Sequence, residues 1–148
     1  MAILSEFKEN LLISSKHGLI NLYEKMSVEL DNIETSLAAI EAELGSDETI
    51  LGSLKETSQG LKNFLKSLCG QADVSNYSGE DSDKNLIEKY MTILGEVTTF
   101  SKPTSDADTI FYDLYRDQFQ IMSRSYEELE TLSEDLFKVL DGIEFLNQ

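Results

Sequence analysis

The sequence holds only one cysteine and one histidine, which limits the chemistry that it can carry. Cys69 has no second cysteine in the chain with which to form an intramolecular disulfide. His17 has no second histidine beside it, and no Cys–His pair has the spacing of a zinc site. A disulfide framework and a metal site built on paired histidines are therefore excluded within one chain, and a reducing, intracellular compartment is favoured.

Basic residues are also scarce. The chain carries 12 Lys and Arg against 28 Asp and Glu, a formal net charge of −16. A surface of this sign repels the phosphates of DNA and RNA and the headgroups of anionic lipids. Direct nucleic-acid binding is therefore not expected, whereas a basic protein partner is compatible with the charge.

Long apolar runs are missing as well. No stretch approaches the ~20 apolar residues that a membrane-spanning helix requires. The first residues reach an acid at Glu6 before any sustained apolar run, which argues against a secretory signal. We therefore expect a soluble intracellular protein that does not enter a membrane.

Motifs that carry chemistry are absent too. No glycine-rich phosphate-binding motif occurs, and no recognisable nucleophile motif surrounds Cys69. Residues 81–85 resemble the start of a calcium-binding loop, but Leu86 stands where glycine is needed and Thr92 where the closing glutamate is needed. The acids there are better explained as the start of a helix. The sequence thus predicts no enzyme activity, no metal and no cofactor.

The apolar residues that are present recur at alternating intervals of three and four, the pattern of helices that pack along a coiled-coil seam. One series comprises Tyr23, Met26, Leu30, Ile33, Leu37, Ile40, Leu44, Leu51, Leu54, Leu61, Leu65 and Leu68. A second comprises Tyr112, Tyr115, Phe119, Met122, Tyr126, Leu129, Leu136, Leu140 and Ile143. They predict an all-α fold, an elongated antiparallel helical bundle or coiled coil with two long helices and shorter covering helices.

The sequence predicts a single domain over residues 1–148. Its N-terminal half is divided at two glycines, Gly18 and Gly45. A short helix over 2–17 is expected to end at Gly18, because its Leu4, Phe7 and Leu11 are out of phase with the later series. The alternative is a stutter of the supercoil at that residue. A long helical region over 19–69 follows, with a candidate break at 45–46. It is either one helix of ~75 Å or two helices that meet at Gly45.

The C-terminal half is expected to hold a loop and two helices. Residues 70–81 are rich in turn-forming residue types and predict the loop. A helix over 82–99 stops before Pro103, the only proline. The last long helix, over 105–146, is expected to start with a capping box formed by Ser105 and Asp108.

The first seam supplies the candidate partner-binding residues. Its apolar members are Tyr23, Met26, Leu30, Ile33 and Leu37, and the charged edge beside them carries Glu34, Glu41, Lys55 and Lys62. The change of sign along this edge is able to specify the orientation of a partner helix. We expect a non-catalytic helical interaction or scaffold protein, a subunit of a homo- or hetero-oligomer. Its coiled-coil faces are expected to bind protein partners, either a second copy of the chain or a different protein.

The acidic charge leaves an alternative open, an inhibitor or nucleic-acid-mimicking decoy that occupies a basic groove of a partner protein. A helical metal enzyme would instead need carboxylates gathered inside the bundle, where such enzymes usually have Glu-x-x-His pairs. This chain has no such pair, because Ser14 stands three residues before His17.

Overall fold

The computed structural model describes residues 2–44, 49–70, 81–101, 110 and 112–148. These residues are helical almost throughout and contain no strand, which confirms the all-α class. The elements in chain order are helix α1 (Ala2–Leu44), helix α2 (Thr49–Cys69), helix α3 (Asp81–Leu94), a 3-10 segment (Gly95–Ser101) and helix α4 (Arg116–Leu146). None of the described helices has the length and apolar character needed to cross a membrane.

Helix α1 runs without interruption through Gly18, so the predicted end of a short helix at that residue is wrong. The change of frame in the sequence marks two faces of one helix. Leu12 and Leu19 lie on the buried face with 7% and 2% of their surface exposed, whereas Phe7 and Leu11 point away from it and are 62% and 37% exposed. A single glycine costs roughly 1 kcal/mol in a helix interior, which is too little to end a helix anchored on both sides.

Helices α1 and α2 lie side by side and run in opposite directions. The Asp31 carboxylate is 2.6 Å from the Lys62 ammonium, and Glu41 is 3.8 Å from Lys55. Between these pairs the buried Ser58 hydroxyl donates a hydrogen bond of 3.2 Å to the backbone carbonyl of Leu30. The alternative of one continuous ~75 Å helix is therefore wrong, and residues 45–48, which include the predicted break, lie outside the described residues.

The predicted helix over 82–99 changes its geometry part of the way along. Helix α3 ends at Leu94, and the chain continues as the 3-10 segment to Ser101. The hydroxyls of Thr98 and Thr99 donate to the carbonyls of Gly95 and Glu96, three residues earlier, at 2.7 Å each. Side-chain bonds of this spacing compete with the wider α-helical turn. Most of the loop predicted over 70–81 lies outside the described residues.

The last long helix is interrupted near its start, because Ile110 and residues 112–114 are helical whereas Tyr115 is not. Helix α4 begins at Arg116, while Tyr115 adopts a non-helical backbone with φ −120° and ψ 27°. The Tyr115 ring is 6% exposed and lies edge-on to Phe119, with ring centroids 6.4 Å apart. Burial of this ring compensates for the irregular backbone. The predicted cap at Ser105 and Asp108 lies outside the described residues.

Helix α4 holds the elements together. It packs against α1, the 3-10 segment and α3, while α1 also packs on α2 and α2 on α3. Helices α3 and α4 run in opposite directions, because Lys84 pairs with Asp141 and the Tyr126 hydroxyl donates a 3.1 Å hydrogen bond to the Met91 carbonyl. Both predicted seams supply the buried core, which includes Met26, Leu30, Ile33, Leu37, Leu54, Leu61, Leu65, Phe119, Met122, Leu129, Leu136 and Ile143.

Candidate partner-binding surfaces

The apolar residues predicted to bind a partner lie in the core of the chain itself. Met26, Leu30, Ile33 and Leu37 have no exposed surface, and Tyr23 is half-buried against them. While the chain keeps this conformation these four side chains contact its own helices and are not accessible to a second protein. Heptad spacing identifies a face that must be covered, but it does not say which helix covers it.

The charged residues of the predicted edge pair within the chain. Lys62 pairs with Asp31 and Lys55 with Glu41. The hydrogen bond that the Lys62 ammonium donates to the Asp31 carboxylate raises the pKa of Lys62, and the nearby Glu34 carboxylate acts in the same direction. Partly exposed pairs of this kind contribute ~0–1 kcal/mol each. The reversal of charge sign along the edge therefore matches the antiparallel pairing of α1 with α2. Asp31, the ionic partner of Lys62, is a residue of this edge that the sequence analysis missed.

A second face of α1 remains uncovered beside the core. We define it by Phe7, Leu11, Ser14, Gly18 and Lys25, which follow one another at intervals of three, four or seven and so share one side of the helix. Phe7 and Leu11 are among the large apolar side chains exposed on the described surface. The sequence carries this signal in the Leu4, Phe7 and Leu11 series, which we interpreted as a helix that ends.

The second face leads into a groove between α1 and α4, which we call the α1/α4 groove. It encloses about 520 Å³ and is lined by Lys25, Val28, Glu29 and Asn32 of α1 and by Ile121, Arg124, Ser125, Glu128 and Leu132 of α4. Val28 and Ile121 are 57% and 43% exposed. Among the described residues no acid lies within 4.0 Å of the Lys25 or Arg124 cation. The groove therefore combines an apolar floor with two bases that have no ionic partner.

A different groove, the α3/α4 groove, lies on the other side of α4. It encloses about 310 Å³ and is lined by Glu88, Met91 and Thr92 of α3 and by Tyr126, Glu130, Ser133, Glu134 and Phe137 of α4. Burial and the Glu130 charge raise the pKa of Tyr126. A Cβ at Gly95 would lie 3.1 Å from the Tyr126 hydroxyl oxygen, so the absence of a side chain there leaves room for the phenol. The sequence analysis did not identify these acids as candidate binding residues.

Cys69 and His17 stand apart from both grooves. Cys69 is 1% exposed at the end of α2, and His17 is exposed on α1. Over the part of the chain that the structure describes, no group of three His, Cys, Asp or Glu side chains is arranged to hold a metal ion. Neither residue belongs to a cluster of reactive groups.

We expect Cys69 to resist thiol-specific reagents in the native protein. Burial raises the pKa of its thiol to about 12, so at pH 8 the reactive thiolate is almost absent in the folded state. The same shift favours folding below the ordinary thiol pKa and is lost as the pH rises towards 12, because only the unfolded thiol ionises in that interval. Absorbance of a chromogenic disulfide reagent at pH 8, with and without urea, measures both states. Equally fast reaction in the absence of urea would contradict the assigned burial.

The grooves of the described surface thus include one that is apolar and mixed in charge and one that is acidic and aromatic. Their residues come from elements far apart in the chain, so each groove is a product of the fold.

Comparison with protein families, with curated proteins and with solved structures gives no match for this chain.

Proposed function

We propose that this chain is a non-catalytic helical interaction or scaffold protein, an elongated antiparallel bundle that associates with a second copy of itself. The observation that carries the proposal is the exposure of Phe7 and Leu11 on the second face of α1. The chain buries its seams with its own helices, so an apolar face that stays exposed is available to a partner. The proposed setting is a reducing intracellular compartment.

The N-terminal half of α1 has the reach for such an interface. From Lys62 to Cys69 helix α2 advances seven residues, and the same distance along its antiparallel neighbour leads from Asp31 back to Glu24. The segment Ala2–Tyr23 therefore extends past the end of α2 by ~33 Å. Leu12 and Leu19 anchor this segment in the core, while Phe7 and Leu11 stay exposed on its second face, so that face offers an interface without disturbing the core.

The charge of this segment permits self-association. It carries the acids Glu6 and Glu9 and the bases Lys8 and Lys16, so its net charge is zero in a chain whose total is −16. A contact made through this neutral segment carries less like-charge repulsion than a contact between two acidic parts of the surface. The favoured occupant of the second face is thus the same face of a second copy.

A two-fold antiparallel arrangement also satisfies the geometry. If Gly18 of each copy faces Gly18 of the other, Phe7 comes level with Glu29 and Leu11 with Lys25 of the second copy, because α1 has a constant rise per residue. Glu29 and Lys25 line the α1/α4 groove, whose floor includes Val28 and Ile121. No atom outside the local backbone lies within 4 Å of a Cβ built at Gly18, so a second helix has room to approach there.

The first test compares the masses of single-charge variants in solution. We expect the wild type to form a dimer and Leu11→Glu to weaken dimerisation about tenfold or more, since a charge would replace an apolar contact. Ile13→Glu is the matched control, because Ile13 is 49% exposed on α1 but lies off the second face. Sedimentation equilibrium measures the dissociation constants, and circular dichroism checks that helicity is unchanged. A wild type that stays monomeric at every concentration would overturn the proposal.

A crosslink tests the register of the same interface. Gly18→Cys should oxidise to a disulfide-linked dimer, while the native Cys69 stays protected by burial. His17→Cys is the control, because it is the exposed neighbour about 100° around the helix. Equal crosslinking of both variants would show that the copies do not meet at Gly18.

An acidic inhibitor that occupies a basic groove is the second candidate function. The observation that favours it is the row of Glu127, Glu130 and Glu134, which are exposed on α4 and have no cation within 4.0 Å among the described residues. The row spans only ~10 Å along the helix. That length matches a few cationic side chains better than an extended phosphate path along a duplex.

A further inference from the structure

We propose that the α3/α4 groove binds an organic cation with an apolar stem, of the alkylammonium or alkylguanidinium class. Such a group is present in a free polyamine and in the Lys or Arg side chains of a basic peptide. The groove is formed by residues of α3 and α4 alone. The inference is therefore independent of self-association through α1.

The electrostatic argument starts from three carboxylates around one groove. Glu88 of α3 and Glu130 and Glu134 of α4 line it, and none has a cationic partner within 4.0 Å in the described part of the chain. Among the bases of α3 and α4, Lys84 pairs with Asp141 outside this groove. A bound cation would relieve the mutual repulsion of the three carboxylates.

The groove also offers apolar and aromatic contacts for the stem of such a cation. Met91, Tyr126 and Phe137 line it together with the acids. The Tyr126 phenol is held in place by its hydrogen bond to the Met91 carbonyl. Aromatic rings beside carboxylates favour cations that carry an alkyl stem over small hydrated metal ions.

An unpartnered buried hydroxyl supplies a second, independent observation. Ser133 lines the groove, is 5% exposed, and its hydroxyl oxygen has no hydrogen-bond partner among the described residues. Buried polar groups in native proteins are nearly always hydrogen-bonded, because a missing partner costs the desolvation free energy. An N–H group of the cation would donate to this oxygen with a small adjustment of the floor.

The experiment titrates the protein with spermidine and, separately, with an arginine–glycine repeat peptide, followed by NMR of the Tyr126 ring. We expect Glu130→Gln/Glu134→Gln to weaken binding about tenfold or more. The control Glu24→Gln/Asp135→Gln removes the same charge from exposed sites outside the groove, and its affinity should change by no more than about twofold. Ser133→Ala should weaken binding while it raises the melting temperature, because it removes the unpartnered hydroxyl.

The two probes identify the source of the cation. Tighter binding of spermidine indicates a free polyamine, and tighter binding of the peptide indicates a basic protein. Either result supports the inference when the groove variant alone loses affinity. Equal loss in the groove variant and the control, or no shift of the Tyr126 resonances, would overturn it. Sedimentation of the groove variant should give the wild-type mass, which separates this result from a failure of self-association.

Discussion

Replacement of Leu37 by aspartate is expected to abolish cooperative folding. Leu37 has no exposed surface and lies on the face of α1 that packs against the other helices. The substitution forfeits ~1.5–3 kcal/mol of apolar burial and adds the cost of a buried carboxylate without a partner, ~3–5 kcal/mol in comparable cases. The sum is comparable with the whole stability of a typical domain, ~5–15 kcal/mol. Thermal and urea unfolding followed by circular dichroism measure the loss.

Ile13→Asp is the control for this experiment, because Ile13 is 49% exposed on the same helix and lies off the second face. It introduces the same charge at a site where the carboxylate stays hydrated. We expect a change in the free energy of unfolding within about 0.5 kcal/mol. If Leu37→Asp unfolded at the wild-type urea concentration, the buried face of α1 would be wrongly assigned.

Truncation of Phe119 to alanine is expected to lower the free energy of unfolding by ~3–5 kcal/mol. Phe119 is fully buried in α4 and stacks on Tyr112, with ring centroids 5.9 Å apart and an interplanar angle of 6°. Tyr115 packs against it edge-on, so one truncation removes two aromatic contacts and leaves a cavity. The urea midpoint gives the change in stability, and near-ultraviolet circular dichroism should lose intensity as the two tyrosines lose their fixed partner.

Phe145→Ala provides the matched control at the far end of the same helix. Phe145 is 74% exposed, so its truncation should leave the urea midpoint almost unchanged. A loss of similar size in both variants would mean that the aromatic cluster around Phe119 does not contribute to stability beyond its helix propensity.

The sequence was sufficient to predict which residues of the long helices are buried. Met26, Leu30, Ile33 and Leu37 on one series and Phe119, Met122 and Leu136 on the other all lie in the core. This prediction succeeds because residues spaced three or four apart in the sequence lie on the same face of an α-helix. The prediction failed at Gly18, since a shift of heptad frame has the same appearance whether a helix ends or presents a second face.

The grooves were beyond prediction for a different reason. The α3/α4 groove joins Glu88 to Glu130, and its composition depends on the register that pairs Lys84 with Asp141. The periodicity of apolar residues within one helix does not determine the offset between two packed helices. Likewise the seam of α1 gave no indication of whether its cover comes from the same chain or from another, because Leu and Ile residues pack equally well in either case.

The hydrogen bond from Ser58 to the Leu30 carbonyl has a consequence for alignment. A leucine seam repeats every seven residues, so two paired helices shifted by one heptad would bury almost the same set of side chains. Sliding α2 by one such step would bring Leu51 or Leu65 to the site of Ser58, where a bulky side chain would replace a small one and the serine hydroxyl would leave its acceptor. The buried Ser58 thus distinguishes the observed register from the shifted one and fixes where the hairpin of α1 and α2 closes.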